Sequence, residues 1–198
     1  QILEDHGFEG EYSVEETGFY PEGGGTAELG TRPYSLEEID LVDRGELESI
    51  ELVVKASDSL EDGEVAEKTL EALKDELDVE VDVSTEKRYV ETASDGVVSL
   101  LKANYENTVV GFDEIDERGK RAEQNAFRLA TQFDKFRESE ACVDKYMADQ
   151  LIVFLSLIGG EVAIREITDH VQTNLSVVEK FGKEVEYEKE EGKVVLSR

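Results

Sequence analysis

The sequence predicts an α+β protein, and three observations carry that reading. Apolar residues alternate at period two in several short runs, they recur at helical spacing in four longer ones, and glycine-rich breaks separate the two kinds. Of 198 residues, 39% are hydrophobic, enough to bury a core once ordered by that periodicity, so the many acids read as the surface of a folded chain rather than as disorder.

The elements follow in order. Gln1 opens the chain in a strand-like run without an initiator methionine, which points to a longer protein whose amino-terminal portion precedes it. Glu11 to Leu29 holds two strand-like pieces around Gly18-Phe19-Tyr20-Pro21-Glu22-Gly23-Gly24-Gly25, a stretch no helix crosses. Ser35 to Arg44 is acidic and linker-like, and Leu47 to Ala56 alternates as a strand. Behind an Asp/Ser cap region, Leu60, Val65, Leu70, Leu73 and Leu77 keep helical spacing, and Val79, Val81 and Val83 alternate as the next strand. Gly96 to Tyr105 and Thr108 to Phe112 carry the β-branched and aromatic residues of two more strands, which makes residues 37–117 a small α/β unit.

After Gly119 the period becomes 3.6. Ala122, Ala126, Leu129, Ala130 and Phe133 share one helical face, and Val143 to Ile158 forms a more apolar helix closed by Gly159-Gly160. Glu161 to Ile167 reads as a strand and Val171 to Phe181 as a helix. Val185 to Tyr187 with Val194 to Leu196 then makes a closing hairpin around Glu191-Gly192. The first two helices of this last part are expected on one sheet, with boundaries of 1–36, 37–117 and 118–198 for the three parts of the chain.

Charge and cysteine content narrow the function. Asp and Glu number 49 against 21 Lys and Arg, a net charge of −28 spread over every segment, which points to a protein adapted to molar salt, where the Debye length shrinks to about 3 Å. Taken alone, that balance argues against a nucleic-acid partner. A single cysteine excludes a disulfide framework and a cysteine-based metal site and fits the reducing cytoplasm. The longest apolar run, Leu151 to Ile158, is far short of the ~20 residues that span a bilayer, and no charged-then-apolar leader opens the chain, so no membrane association is expected.

Few residues are placed for chemistry. His170 stands at a strand-to-helix junction, where Thr168 or Asp169 can cap the helix and first-turn amides favour an anion such as phosphate. A neutral imidazole beside a phosphate is a nucleophile, although a histidine at such a junction also serves as a cap or a packed polar group. Asp149-Gln150 immediately precede the most apolar run, so Asp149 faces either a ligand or a structural network. Tyr146, one turn earlier, either stacks on a base or fills the core. The Gly23-Gly24-Gly25 turn fits neither G-x-x-x-x-G-K-[ST] nor G-x-G-x-x-G, Gly119-Lys120-Arg121 is the one compact basic cluster, and His6 has no companion and is expected in solvent.

Four segments in series, Gly18 to Gly25, Glu117-Arg118-Gly119-Lys120-Arg121-Ala122-Glu123, Tyr146-Met147-Ala148-Asp149-Gln150-Leu151, and His170-Val171-Gln172-Thr173-Asn174 through Val178-Glu179-Lys180-Phe181, resemble the RNA 3′-terminal phosphate cyclase family in order and spacing. The resemblance covers the whole chain but only the carboxy-terminal portion of a family member. It implies βαβαββ-type repeats with an inserted small α/β domain: the end of one repeat in 1–36, the insert in 37–117, and the repeat with the catalytic histidine in 118–198. It implies a cytoplasmic ligase that uses ATP and a divalent metal, Mg or Mn, to turn an RNA 3′-phosphate into a 2′,3′-cyclic phosphate through a covalent histidine-adenylate and an RNA-adenylate. By the same match His170 is the nucleophile, and Tyr146, Met147, Ala148, Asp149 and Gln150 form the adenylate pocket, Tyr146 stacking on adenine. Thr17 and Ala27 depart from the basic and aliphatic residues that usually flank the glycine-rich turn. The rival readings are a non-catalytic cyclase-like RNA-processing or ribosome-assembly factor of the same fold, against which His170 in its H-x-x-T-N context speaks, and an acidic interaction module with no nucleotide site.

Overall fold

The computed structural model describes residues 1–116 and 122–198. The chain starts with a short helix, α1 (Ile2–Asp5), rather than the expected strand: Ile2 is buried, and the His6 ring Nδ1 lies 2.7 Å from the Ile2 carbonyl oxygen. His6 is therefore half-buried at the end of α1 instead of free in solvent.

Strands β1 (Gly10–Glu16) and β2 (Thr26–Thr31) then pair antiparallel as a two-stranded ribbon. The turn between them docks on its surroundings. Phe19 is buried and lies so close to Gly96 that a Cβ there would come within 2.2 Å of the Phe19 ring, so only glycine fits. The Glu22 amide also donates to Ser94 Oγ at 3.2 Å. The glycine-rich motif thus fastens the ribbon to the neighbouring α/β unit.

That unit is built on a four-stranded sheet of order β5-β4-β6-β7, from β4 (Leu47–Ser57), β5 (Asp82–Val90), β6 (Val97–Tyr105) and β7 (Val109–Ile115), with β4 and β5 parallel and the other pairs antiparallel. A 3₁₀ turn at 58–63 leads into α2 (Val65–Glu76), which makes the crossover from β4 to β5. The expected strand at Val79 begins later, because residues before Asp82 have no partner on β4, whose ladder starts at Ser49. Ile50, Leu52, Val54 and Ala56 of β4 alternate into one buried face. Its helical cover is α2 together with α3 (Ala122–Arg137), whose Ala126, Leu129, Phe133 and Phe136 join the same apolar cluster. The helix expected with the carboxy-terminal part therefore packs in the α/β unit.

The second core lies over the sheet β3-β8-β10-β9. Its first strand is β3 (Ile39–Leu41), in the stretch that reads as a linker: Ile39 and Leu41 are buried and Asp40 exposed, a strand alternation too short to stand out among acids. β3 runs parallel to β8 (Gly160–Ile164), and Gly160, at φ 111°, leaves no room for a Cβ, which would lie 2.1 Å from the Ile39 carbonyl oxygen. α4 (Lys145–Ile158) precedes β8 and α5 (Asp169–Lys180) follows it, before the hairpin of β9 (Glu186–Lys189) and β10 (Val194–Ser197). In chain order this is β3, α4, β8, α5, β9, β10, one βαβαββ unit with the α/β unit inserted between its first strand and first helix. Leu151, Ile152 and Leu155 of α4 are fully buried against it. Truncating one to alanine costs about 2–5 kcal/mol.

Candidate active site

Two helix starts sit at one edge of the second sheet. α4 and α5 each precede or follow a parallel strand so that their amino ends lie beyond the carboxyl ends of β3 and β8, the place where α/β crossovers leave room for a ligand. Both starts are capped by side chains. Asp144 Oδ1 accepts from the Tyr146 and Met147 amides at 2.8 and 3.0 Å, and Thr168 Oγ1 accepts from the Val171 amide at 3.2 Å. Thr168 is thus the cap of α5, and His170 is an exposed residue of its first turn.

The two starts are tied together. Asn174 Nδ2, one turn beyond His170, donates to the Asp149 carbonyl oxygen of α4 at 3.0 Å. This bond brings the His170 to Asn174 segment against the Tyr146 to Gln150 segment. Tyr146 is 56% exposed, and the Lys145 ammonium sits 4.6 Å from its ring centroid. It is therefore not a core residue. Gln150 is exposed and Asp149 half-buried, its carboxylate without an ion pair or hydrogen bond among the described residues, so the bonding predicted for this residue falls on its backbone instead. Met147 packs half-buried against the core and Ala148 is buried in it, so neither reaches outward as Tyr146 does.

The other nucleophile type is ruled out by its surroundings. Cys142 is buried, its amide bonded to the Ala163 carbonyl at 2.8 Å, and burial pushes its thiol up to about 11. Gly119-Lys120-Arg121 lies outside the described residues. No group of three His, Cys, Asp or Glu among the described residues is placed to hold a metal ion, and none of the described helices is long and apolar enough to cross a membrane. Sequence reasoning did not find Asn174 or Lys145 as site residues. Asp144 carried a usable signal, an aspartate at a helix start.

A mixed α+β protein with an exposed histidine and an exposed tyrosine on two capped, mutually bonded helix starts is the class these elements define. The family model described as RNA 3′-terminal phosphate cyclase matches residues 1–187, and the chain belongs to that family. Among its relatives, the RNA 3′-terminal phosphate cyclase of Halobacterium salinarum strain R1 is 34% identical over 197 residues, 99% of this chain and 56% of the relative. That of Saccharolobus solfataricus is 31% identical over 184 residues, 91% of this chain and 54% of the relative. That of Pyrococcus furiosus is 34% identical over 177 residues, 88% and 51%. The chain spans about half the length of the curated relatives it matches.

Proposed function

We propose that the complete protein converts an RNA 3′-phosphate to a 2′,3′-cyclic phosphate with ATP, and that His170 is the nucleophile. The observation that supports this is the exposed imidazole of His170 in the first turn of α5, a helix bonded through Asn174 to the α4 that carries Tyr146, in a chain of the cyclase family. A ring nitrogen of His170 attacks the α-phosphorus of ATP and pyrophosphate leaves. The adenylate then passes to an oxygen of the RNA 3′-phosphate, which restores the free histidine. The adjacent 2′-hydroxyl attacks that activated phosphorus, loses its proton, and AMP departs. Splitting one displacement into steps with a covalent intermediate lowers each barrier, and only RNA supplies the 2′-hydroxyl.

Within this reading the residues of α4 hold the nucleoside. Tyr146 offers a ring face to adenine, Asp149 and Gln150 offer polar groups to the nucleoside, and Met147 with Ala148 fix the turn that carries them. The amino ends of α4 and α5 supply a field that favours phosphate. A divalent cation would neutralise the departing pyrophosphate.

Incubating the complete protein with α-labelled ATP, divalent cation and molar KCl tests the proposal. A covalent label stable to base and labile to acid is expected, absent from His170→Ala although that variant still binds ATP. Tyr146→Ala is expected to raise the ATP concentration for half-labelling by about tenfold, and Tyr146→Phe to leave it near the parent value. A folded parent that takes no label contradicts the proposal and favours a non-catalytic RNA-processing role.

A further inference from the structure

Next to the helix starts lies a cleft of about 260 Å³, where β7 and α3 of the inserted unit face the start of α4 and the 165–166 turn after β8. Its floor is apolar, formed with Phe112 and Phe136, which are 8% and 4% exposed and stacked edge to face at 5.7 Å. Around that floor stand three cations, Lys135, Lys145 and Arg165, all exposed. None of the three forms an ion pair with a described residue, so each is available to an anion. Three carboxylates, Asp113, Asp144 and Glu166, also line the cleft, Asp144 held by the amides of α4, so cations and carboxylates are equal in number there. In a chain whose acids outnumber its bases 49 to 21, a place where the two come level is the exception.

We propose that this cleft holds the RNA strand on the 5′ side of the reacting end, with backbone phosphates at Lys135 and Arg165 and a base resting on the apolar floor. This rests on the function proposed above. Anions that repeat along a strand and alternate with flat apolar rings are what a cation-rimmed apolar groove fits, and such grooves are the usual way single strands are held without sequence preference. Tyr146 lines the same cleft, so a strand lying there runs to the start of α4, the helix that Asn174 ties to α5. The inserted unit thereby forms one wall of the substrate path, through Phe112, Phe136 and Lys135.

The triphosphate of ATP is the other source of the same anionic chemistry, and a double substitution separates the two. In the complete protein, Lys135→Gln with Arg165→Gln is compared with Lys135→Arg with Arg165→Lys, which keeps both charges. Labelling by α-labelled ATP without RNA reads the nucleotide alone. Binding of a 3′-phosphorylated RNA of about ten nucleotides, against a 3′-phosphorylated dinucleotide, reads the strand. The neutral pair is expected to label at the parent rate and to bind the longer RNA about tenfold more weakly. Its log-log salt dependence should fall by about 1.4, with the dinucleotide unaffected. The charge-keeping pair is expected to bind as the parent does. RNA carrying 4-thiouridine two positions before its 3′ end is expected to cross-link to 132–136 or 165–166. Unchanged binding of the longer RNA by the neutral pair overturns the proposal, as does labelling that falls in step with RNA binding, which would assign the cations to ATP. A parent that binds RNA in this way but never labels overturns the catalytic reading and leaves the strand path standing.

Discussion

Glu67 shows how single residues secure the inserted unit. Its carboxylate accepts from the Lys87 ammonium and from the Tyr89 hydroxyl, the latter at 2.5 Å, and these two bonds, Lys87 first, hold it down at about 2. The Tyr89 hydroxyl in turn accepts from the Ala66 amide at 3.0 Å and so closes the first turn of α2, which has no side-chain cap of its own. Because the folded-state value is depressed, the contribution is in place above the ordinary carboxylate pKa of about 4.3 and is lost as pH falls from there towards 2. Glu67→Gln is therefore expected to lower stability to denaturant at neutral pH, with the gap to the parent closing as pH drops below about 4. A gap independent of pH would contradict the assignment. Such pairings were invisible in the sequence, since Glu67 meets Tyr89 from 22 residues away and Asn174 meets Asp149 from 25. The helix starts that carry His170 and Tyr146 were legible from local spacing, whereas the roles expected of the two residues came from the resemblance to the cyclase family. The bond that joins α5 to α4 was not legible.

Among the elements, the chain crosses between its two cores after β3 and again after α3, and Arg44 pins both crossings. Its guanidinium donates to the carbonyls of Phe136 at 3.3 Å, Arg137 at 3.0 Å and Ala141 at 3.2 Å, at the carboxyl end of α3 and just beyond, and lies over the Tyr105 and Phe136 rings at 5.2 and 5.1 Å. A planar fork with several donors can serve three acceptors while stacking on a ring, and an ammonium cannot. Arg44→Ala is expected to destabilise by about 2–4 kcal/mol, since it leaves helix-end carbonyls without a partner and removes the stacking. Arg44→Lys should recover little of that loss, and full recovery in a denaturation experiment would contradict the account. Most elements could be read from periodicity: β4, the crossover α2, and helices α3 to α5 all fall close to their expected places. The two misplacements have a common cause. β3 and α3 each obey a local pattern, strand alternation and helical spacing, but which core they join is decided by partners elsewhere in the chain, β8 for one and α2 with β7 for the other.

For the whole molecule, charge sets the conditions under which this architecture persists. A net charge of −28 on 198 residues repels itself, and the ion pairs among the described residues are exposed or partly exposed, where each contributes at most about 1 kcal/mol. Salt relieves the repulsion by screening. The thermal midpoint is therefore expected to rise between 0.1 and 3 M KCl, by about 2–4 °C for each kcal/mol of repulsion removed, and an unchanged midpoint would contradict it. The same screening is what the proposed RNA partner of so acidic a chain requires, and the cleft beside the helix starts is where bases come level with acids. The central claim, that His170 on α5 becomes the adenylated residue, is tested most directly by digesting the complete protein after incubation with ATP and mapping the AMP adduct by mass spectrometry. The account predicts the adduct on the peptide that carries His170. An adduct on any other residue, with His170 unmodified, would contradict it.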